Sequence, residues 1–356
     1  MSGIRFQSIA EQVTGHLREE LLRGRWSGVM PGKHELAGEL GINNKTVESA
    51  LRRLEADGVL VAQGAGRKRL IRLPEGGAAR RSLRVAILLS ETADRSLDYL
   101  IELRNELGGK GHDVFYAPDS MEDLVMDTNR IIRMAGKTAA DAWVVVAGSK
   151  GVLEWFAEQR EPVIALFGRR RGLPIAGVGP DKPPALVTAT QRLIELGHRR
   201  IVLLARVLRR LPVPGASEQA FLDALAAHGI VPGPYHLPDW KVTIDGFHSR
   251  LESLFKFTPP TALIVDESVF FVAALQFCSS QGLRVPEDVS LVCTDYNPTF
   301  AWCKPSVAHI RWDSRPVVRR ILRWADNVSS GKVDKRQTLT PCGFVPGGTI
   351  GPPRGK

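Results

Sequence analysis

Apolar residues return along this chain in two rhythms. Near the N-terminus Ile9, Val13, Leu17 and Leu21 recur every four residues, the spacing of one helix face. Gly24 lets the chain leave that helix. After the Pro31-Gly32 turn, Leu36, Ala37 and Leu40 predict a short helix over 33–40, broken at Gly41. Asn43 stands where an N-cap belongs, ahead of a third helix from about 44 to 57 with Val47, Ala50, Leu51 and Leu54 facing inward. Val59-Leu60-Val61-Ala62 and Arg67-Lys68-Arg69-Leu70-Ile71-Arg72 then predict two β arms around the tip Gly64-Ala65-Gly66.

The rhythm changes after a small, flexible stretch, Pro74 to Arg81, which reads as a linker over 74–82. From Leu83 on, short apolar runs alternate with helical spacing. The runs are 85–89, 114–116, 142–146, 163–167, 201–204, 262–265 and 289–293. Helices are expected near 97–108, 121–135, 151–159, 184–196, 217–228, 246–255 and 268–281. Such alternation implies right-handed βαβ units and mainly parallel sheets, so the fold class is α/β with a small helical N-terminal module over 1–73. In sheets of this kind ligands bind outside the carboxyl ends of the strands.

Charge adds a partner class. Forty-eight Lys and Arg against 38 Asp and Glu leave a net charge of +10 over 356 residues, which favours a polyanion, although solubility alone is a sufficient reading. Four cysteines without a CxxC pair or a nearby His argue against a disulfide framework or a zinc site and for a reducing cytoplasm. No apolar run approaches the ~18 residues that cross a bilayer, and the first thirty residues show no secretory signal. The expectation is a cytoplasmic protein without membrane association, metal or cofactor.

Helix, tight turn and helix followed by a basic hairpin form the arrangement that sets one helix in a DNA major groove and a wing beside it. The bland alternative is a three-helix packing module; the cations Arg67, Lys68 and Arg69 on the return arm favour DNA. Met30-Pro31-Gly32-Lys33-His34-Glu35-Leu36-Ala37, Leu40-Gly41-Ile42, Lys45-Thr46-Val47, Ala50 to Leu60 and Gly64-Ala65-Gly66 resemble the GntR-type winged helix-turn-helix over residues 5–72. The resemblance implies a DNA-contacting set of Lys33, His34, Asn43, Asn44, Lys45, Thr46, Glu48, Arg52, Arg67, Lys68 and Arg69. Lys45, Thr46 and the wing are expected on phosphates. The family often places arginines where this chain has His34, Asn44 and Glu48. Asn44 suits adenine and Glu48 suits the cytosine amino group, and a solvated Glu48 is the competing reading.

Residues 189–204, 260–266 and 282–296 are similar to the LacI/GalR-type effector domain, related to periplasmic sugar-binding proteins, and the likeness runs over about 83–350. It implies two lobes, one at about 83–180 plus 308–327 and the other at about 181–305 plus 328–356, with strand-end loops facing a ligand. Candidates after the first strand are Ser90, Glu91, Thr92 and Asp94; others are Ser149, Arg169, Arg209, Asp266 and Asp295, with Trp240 or Phe270 as a stacking face. Paired oxygens on Asp266 and Asp295 suit the hydroxyls of a sugar or polyol. Competing readings make Asp266 a helix cap, Asp295 a loop brace, Arg169-Arg170-Arg171 a solvated run, and His198 a packing residue. The family's arginine four residues before its aromatic is Ser217 here, ahead of Phe221; Arg206, Arg209 or Arg210 stand as replacements.

Together these resemblances imply a homodimeric transcription regulator, a repressor or an activator, with a double-stranded operator and a small sugar-like effector as partners. An α/β enzyme with an accessory head is the alternative. The chain shows no Gly-x-Gly-x-x-Gly after a strand, no P-loop and no Gly-x-Ser-x-Gly elbow, and Asp266-Glu267 is a carboxylate pair of a kind that often points apart on a strand or loop. A transported-solute receptor would need export.

Overall fold

The computed structural model describes residues 9–22, 25–64, 67–72 and 81–354. The expected wing tip at Ala65 and Gly66, and the expected linker up to position 80, lie outside them.

The N-terminal module consists of helices α1 (Ile9–Leu22), α2 (Lys33–Leu40) and α3 (Asn44–Ala56) and strands β1 (Leu60–Val61) and β2 (Leu70–Ile71). Its core joins Val13, Leu17 and Leu21 of α1, Met30 before α2, Leu36 and Ala37 of α2, the four inward positions Val47, Ala50, Leu51 and Leu54 of α3, and Leu60. Ile9, the first member of the expected stripe, is exposed at the helix start. Gly41 ends α2 in the left-handed conformation (φ 63°) with its N–H donating to the Ala37 carbonyl, a geometry that costs an L-residue with a Cβ more. Asn43 caps α3: its Oδ1 accepts the Thr46 N–H at 2.8 Å. β1 and β2 pair antiparallel, Leu60 opposite Ile71 and Val61 opposite Leu70, and Val29 bridges to Leu70 from the far side.

The rest is α/β. Its elements are β3 (Arg84–Leu88), α4 (Asp98–Gly109), β4 (Asp113–Tyr116), α5 (Thr128–Lys137), β5 (Ala142–Val146), α6 (Lys150–Glu158), β6 (Val163–Leu166), β7 (Ala176–Pro180), α7 (Lys182–Glu195), β8 (Ile201–Leu204), α8 (Val207–Arg210), α9 (Ala216–Ala227), α10 (Ile244–Phe257), β9 (Ala262–Val265), α11 (Ser268–Ser280), β10 (Ser290–Cys293), β11 (Ala308–Trp312), α12 (Ser314–Ser329), β12 (Gln337–Thr340) and β13 (Cys342–Val345). One sheet runs β12-β7-β6-β5-β3-β4 and the other β13-β11-β10-β9-β8. β8, β9, β10 and β11 are parallel neighbours, and β13 closes the edge antiparallel to β11. Strands buried on both faces, such as β5 and β8 to β10, are continuous apolar runs, as parallel sheets covered by helices require.

Two compact units result: residues up to Val144 with Glu158–Ile164 and Ile321–Lys335, and Val145–Ala157 with Ala165–Arg320 and Arg336–Lys356. Helices α7, α9, α10 and α11 cover the five-stranded sheet of the second unit, burying Leu193 and Phe221 against one face and Phe247, Leu251, Phe271 and Phe277 against the other.

Three expectations are corrected. β11, placed in the first lobe with 308–327, pairs with β10 through Val292–Ala308 and Cys293–His309 in the second sheet. β12, expected with 328–356, takes β7 as its parallel neighbour through Gln337–Gly177 in the six-stranded sheet, while the compact division keeps Arg336–Lys356 in the second unit. An apolar run reveals a strand but not its partner, and the chain changes sheets between β11 and β12 and again between β12 and β13. The helix expected over 121–135 begins only at Thr128, because Asp127 caps it and Val125 and Met126 take positive φ.

β7 escaped the apolar pattern because it is Ala-Gly-Val-Gly-Pro. Its glycines make room for Arg170: a Cβ on Gly177 would lie 2.3 Å from Arg170 Cδ. Arg170 donates from Nη1 to the Phe167 carbonyl at 3.0 Å, and burial pushes its guanidinium pKa down.

Candidate functional site

On α3 the apolar stripe turns inward, so the opposite face is left polar. Lys33, Asn44, Lys45, Glu48, Ser49, Arg52, Arg53 and Ala56 line a shallow open groove along it. Lys33, His34, Asn43, Asn44, Lys45 and Arg52 are exposed, as are Arg67 and Lys68 on the wing. Lys68 stands 3.5 Å from Glu35, but both side chains are about 60% exposed, so the pair holds little. Asn43 and Thr46 are engaged in the cap, with Thr46 Oγ1 also donating to Asn43 Oδ1 at 3.0 Å.

Glu48 and Arg69 do not take the places expected of them. Arg69 is a fifth exposed and donates from Nη2 to Glu48 Oε1 at 2.9 Å and from Nε to Glu55 Oε1 at 2.5 Å. Arg52 Nε stands 3.4 Å from the same Glu48 oxygen. Burial works to raise the Glu48 carboxyl pKa, but Arg69's hydrogen bond and charge outweigh it and hold the group below the usual range. Burial opposes Arg69's charge in turn, and the two carboxylates more than offset it. Both side chains are thus engaged within the head, Glu48 with Arg69 and Arg52, and Arg69 with Glu48 and Glu55. Glu55, the third member, lies two helical turns beyond Glu48, a spacing visible in the sequence once the wing is known to return beside α3.

In the second unit, the registers of β8, β9 and β10 bring their carboxyl ends side by side. The residues that follow are Arg206, Asp266 with Glu267, and Thr294 with Asp295. Asp266 is 1% exposed; its Oδ2 receives Arg209 Nε at 2.8 Å and its Oδ1 accepts the Thr294 hydroxyl at 3.0 Å. Arg206 Nε donates to Glu267 Oε1 at 2.9 Å. Asp295 Oδ1 accepts from Lys182 Nζ at 2.7 Å and Trp312 Nε1 at 3.4 Å. Glu218 is buried in the first turn of α9.

Lys182, Arg209, Ser217, Glu218, Asp266 and Thr294 line a cavity of about 10 Å³, one water's room. The carboxylates expected to meet a polyol are thus paired with this chain's own cations. Burial would raise the Asp266 pKa, but Arg209, then Lys182 and Arg206, hold it below the usual carboxylate range. At Glu218 burial prevails over Arg209, and the pKa is raised. Burial and then Asp266 raise Glu267 as well.

Asp266 does not cap α11, whose N-cap position is Glu267. Arg169 is no solvated run: Nε donates to the Leu208 carbonyl at 3.0 Å, and Nη2 to those of Arg209 (3.0 Å) and Val213 (2.9 Å), which ties it to α8 and the turn after it. Ser149 Oγ accepts from the Val152 N–H at 3.4 Å at the start of α6. Trp240, a candidate stacking face, is a core residue at 6% exposure; its indole N–H donates to the Ala205 carbonyl and its ring meets Phe247 and Phe270, each at 5.1 Å. Phe270 is half-buried under the Arg206 guanidinium.

Ser90, Glu91, Thr92 and Asp94 follow β3 in the other unit. The Glu91 N–H donates to Asp94 Oδ2 at 3.0 Å, and the Thr92 hydroxyl donates to Asp123 Oδ2 at 2.9 Å. His198 is buried, with Nδ1 on Thr261 Oγ1 and Nε2 on the Gly351 carbonyl, and burial lowers its pKa. Lys182, Glu218 and Thr294 were missed by sequence reasoning. Lys182 follows the strand that glycine disguises, and Glu218 has no signal but its place beside Ser217.

Among the described residues no His, Cys, Asp and Glu cluster could hold a metal ion, and no helix is long and apolar enough to cross a membrane. Residues 9–67 match the family of bacterial regulatory proteins, gntR family, and residues 190–350 match the periplasmic binding protein-like domain. Two regulators of Escherichia coli are similar: the HTH-type transcriptional repressor CytR (26% identical, covering 46% of this chain and 49% of that protein) and the HTH-type transcriptional regulator RafR (32%, 54% and 57%). The chain spans about half the length of the curated relatives it matches. The lac repressor dimer bound to operator and the anti-inducer ONPF aligns with TM-score 0.61 at 17% identity, covering 79% of this chain and 99% of that one. The transcriptional regulator CelR–cellobiose complex aligns with TM-score 0.61 at 18% identity, covering 90% and 100%. The chain therefore joins a GntR-type helix-turn-helix head to a periplasmic-binding-protein-like domain with the fold of LacI-type regulators.

Proposed function

We propose that this protein is a transcription regulator: residues 1–73 bind a double-stranded operator, and residues 83–356 bind a small molecule that alters operator affinity. The observation that carries the reading is the exposed cationic groove formed by Lys33 at the start of α2 and Lys45 and Arg52 on α3, beside the exposed wing cations Arg67 and Lys68. Such cations displace condensed counterions from phosphates, so affinity falls steeply with salt. A homodimer presents two heads to a roughly palindromic operator. The names of the relatives support regulation rather than catalysis.

The effector in this reading is a sugar or polyol, met by Asp295, Asp266 and Arg209 in the second unit. It acts only through its differential affinity for two arrangements of the protein; a coupling of about 1–3 kcal/mol changes operator occupancy about 5- to 150-fold. Selection of duplexes from a random pool with the full chain, followed by titration with mono- and oligosaccharides, tests both halves. Retention of no duplex even at low ionic strength would remove the regulatory reading. For the effector, Asp295→Ala abolishes the thermal stabilisation that a bound polyol gives; an unchanged shift removes Asp295 from the pocket.

A further inference from the structure

Asn44, Glu48 and Arg52 occupy successive turns on one side of α3, so a carboxylate stands in a groove whose other charged lining residues are Lys33, Lys45, Arg52 and Arg53. An unpaired carboxylate there would repel phosphates. It is not unpaired. Arg69 reaches it from the wing, and the same guanidinium holds Glu55 two turns further along the helix. The Arg69 backbone is fixed as well: its carbonyl accepts the Met30 N–H at 2.8 Å, and the next residues pair with β1. One side chain thus spans two turns of α3 from a backbone position locked in the wing sheet. Only about a fifth to a quarter of each of these three side chains is exposed, so removing one partner leaves a partly buried charge unmatched.

We infer that Glu48 is a positioning residue: by holding Arg69 it sets the wing against the recognition helix, and it does not itself contact a base. Resting on the proposal that the head binds duplex DNA, this leaves sequence reading on α3 to its exposed neighbour Asn44. It also leaves the wing's phosphate contacts to Arg67 and Lys68. The departure from an arginine at position 48 then marks a change in how the wing is anchored rather than a changed preference for one base pair.

The test uses the full chain and a duplex selected from a random pool, with Glu48→Gln, Arg69→Gln and the double variant. Each is measured against every single-base change in the duplex and over a range of salt. Expected for Glu48→Gln is a several-fold rise in affinity at low salt by the same factor for every duplex. The salt slope steepens by about one unit, since Arg69, then held by Glu55 through Nε alone, has Nη2 available to a phosphate. In the Arg69→Gln background the same change has no such effect on the slope. Hydrogen exchange at Leu70, Ile71 and Arg72 speeds up in Glu48→Gln, a readout that does not depend on Arg69→Gln folding well. A Glu48→Gln effect confined to one base pair would make Glu48 a base reader and overturn the inference. Unchanged exchange and slope would overturn it too. Wild-type protein that retains no duplex would overturn the DNA reading itself, and the inference with it, before any variant is compared.

Discussion

The head and the second α/β unit use the same cations in opposite ways. On the head, Arg52, Arg67 and Lys68 are exposed, and the pairs that Arg52 and Lys68 make are loose. In the second unit, Lys182 is 14% exposed, Arg206 18% and Arg210 3%, and each is tied to a carboxylate; Arg209, a third exposed, sits on an aspartate that is not exposed at all to any useful degree. A net charge therefore says little until it is divided by environment. Exposed cations are available to a polyanion; paired ones are part of the internal structure, and a ligand reaches their carboxylates only by exchanging partners with them. The Arg69 latch lies between these cases: a wing cation by position, but internally paired like those of the second unit.

The largest effect expected is at the pair that most departs from a surface bridge. Arg209→Ala leaves the buried Asp266 carboxylate with the Thr294 hydroxyl and more distant charges, and costs about 3 kcal/mol in chemical unfolding. Adding Asp266→Asn recovers most of the loss. Because the folded Asp266 pKa is depressed, the pair's contribution is present above the ordinary carboxylate pKa, about 3.9, and is lost as pH falls through the lower folded value. A variant within measurement error of wild type at neutral pH would show that solvent, not Arg209, compensates Asp266, and the contrast with the head would weaken.

A smaller effect, on binding and not on stability, is expected from Arg67→Ala with Lys68→Ala. All duplexes weaken alike and the salt slope falls by about two units, one per phosphate contact. Loss on one duplex sequence alone would move these residues from backbone contact to base reading.

What could be read before the structure follows the physics of each signal. The inward face of α3 and the strands at 142–146, 201–204 and 262–265 were legible to the residue, because burial on a helix or a covered sheet demands a fixed period. Asn43 was legible as a cap because capping is local. Sheet membership of β11 and β12 was not, since strand pairing is decided by partners far along the chain. Partnerships of charge were equally hidden. Nothing local separates Arg69, held by Glu48 and Glu55, from Arg67, which is exposed. Lys182 was concealed with β7, where glycines fitted around Arg170 erase the apolar run that announces a strand.

Glu218 offers the smallest and most discriminating effect. It is 5% exposed at the start of α9, against the close approach of Gly215, where an added Cβ would lie 2.5 Å from Glu218 Oε2. Burial raises its pKa, and the nearby Arg209 charge only partly opposes this. A carboxyl whose folded pKa lies above its unfolded one, about 4.3, favours the folded state in full below that unfolded value and progressively less as pH rises through the folded value. Glu218→Gln keeps the shape of the neutral acid and removes the charge. It therefore raises the melting temperature modestly at pH 7 and leaves it unchanged near pH 4, where the wild-type carboxyl is already protonated in the fold. Lower stability at pH 7 would mean that Glu218 is an ionised partner of Arg209, sharing that cation with Asp266, and the second unit's pairing would then be a triad rather than a pair.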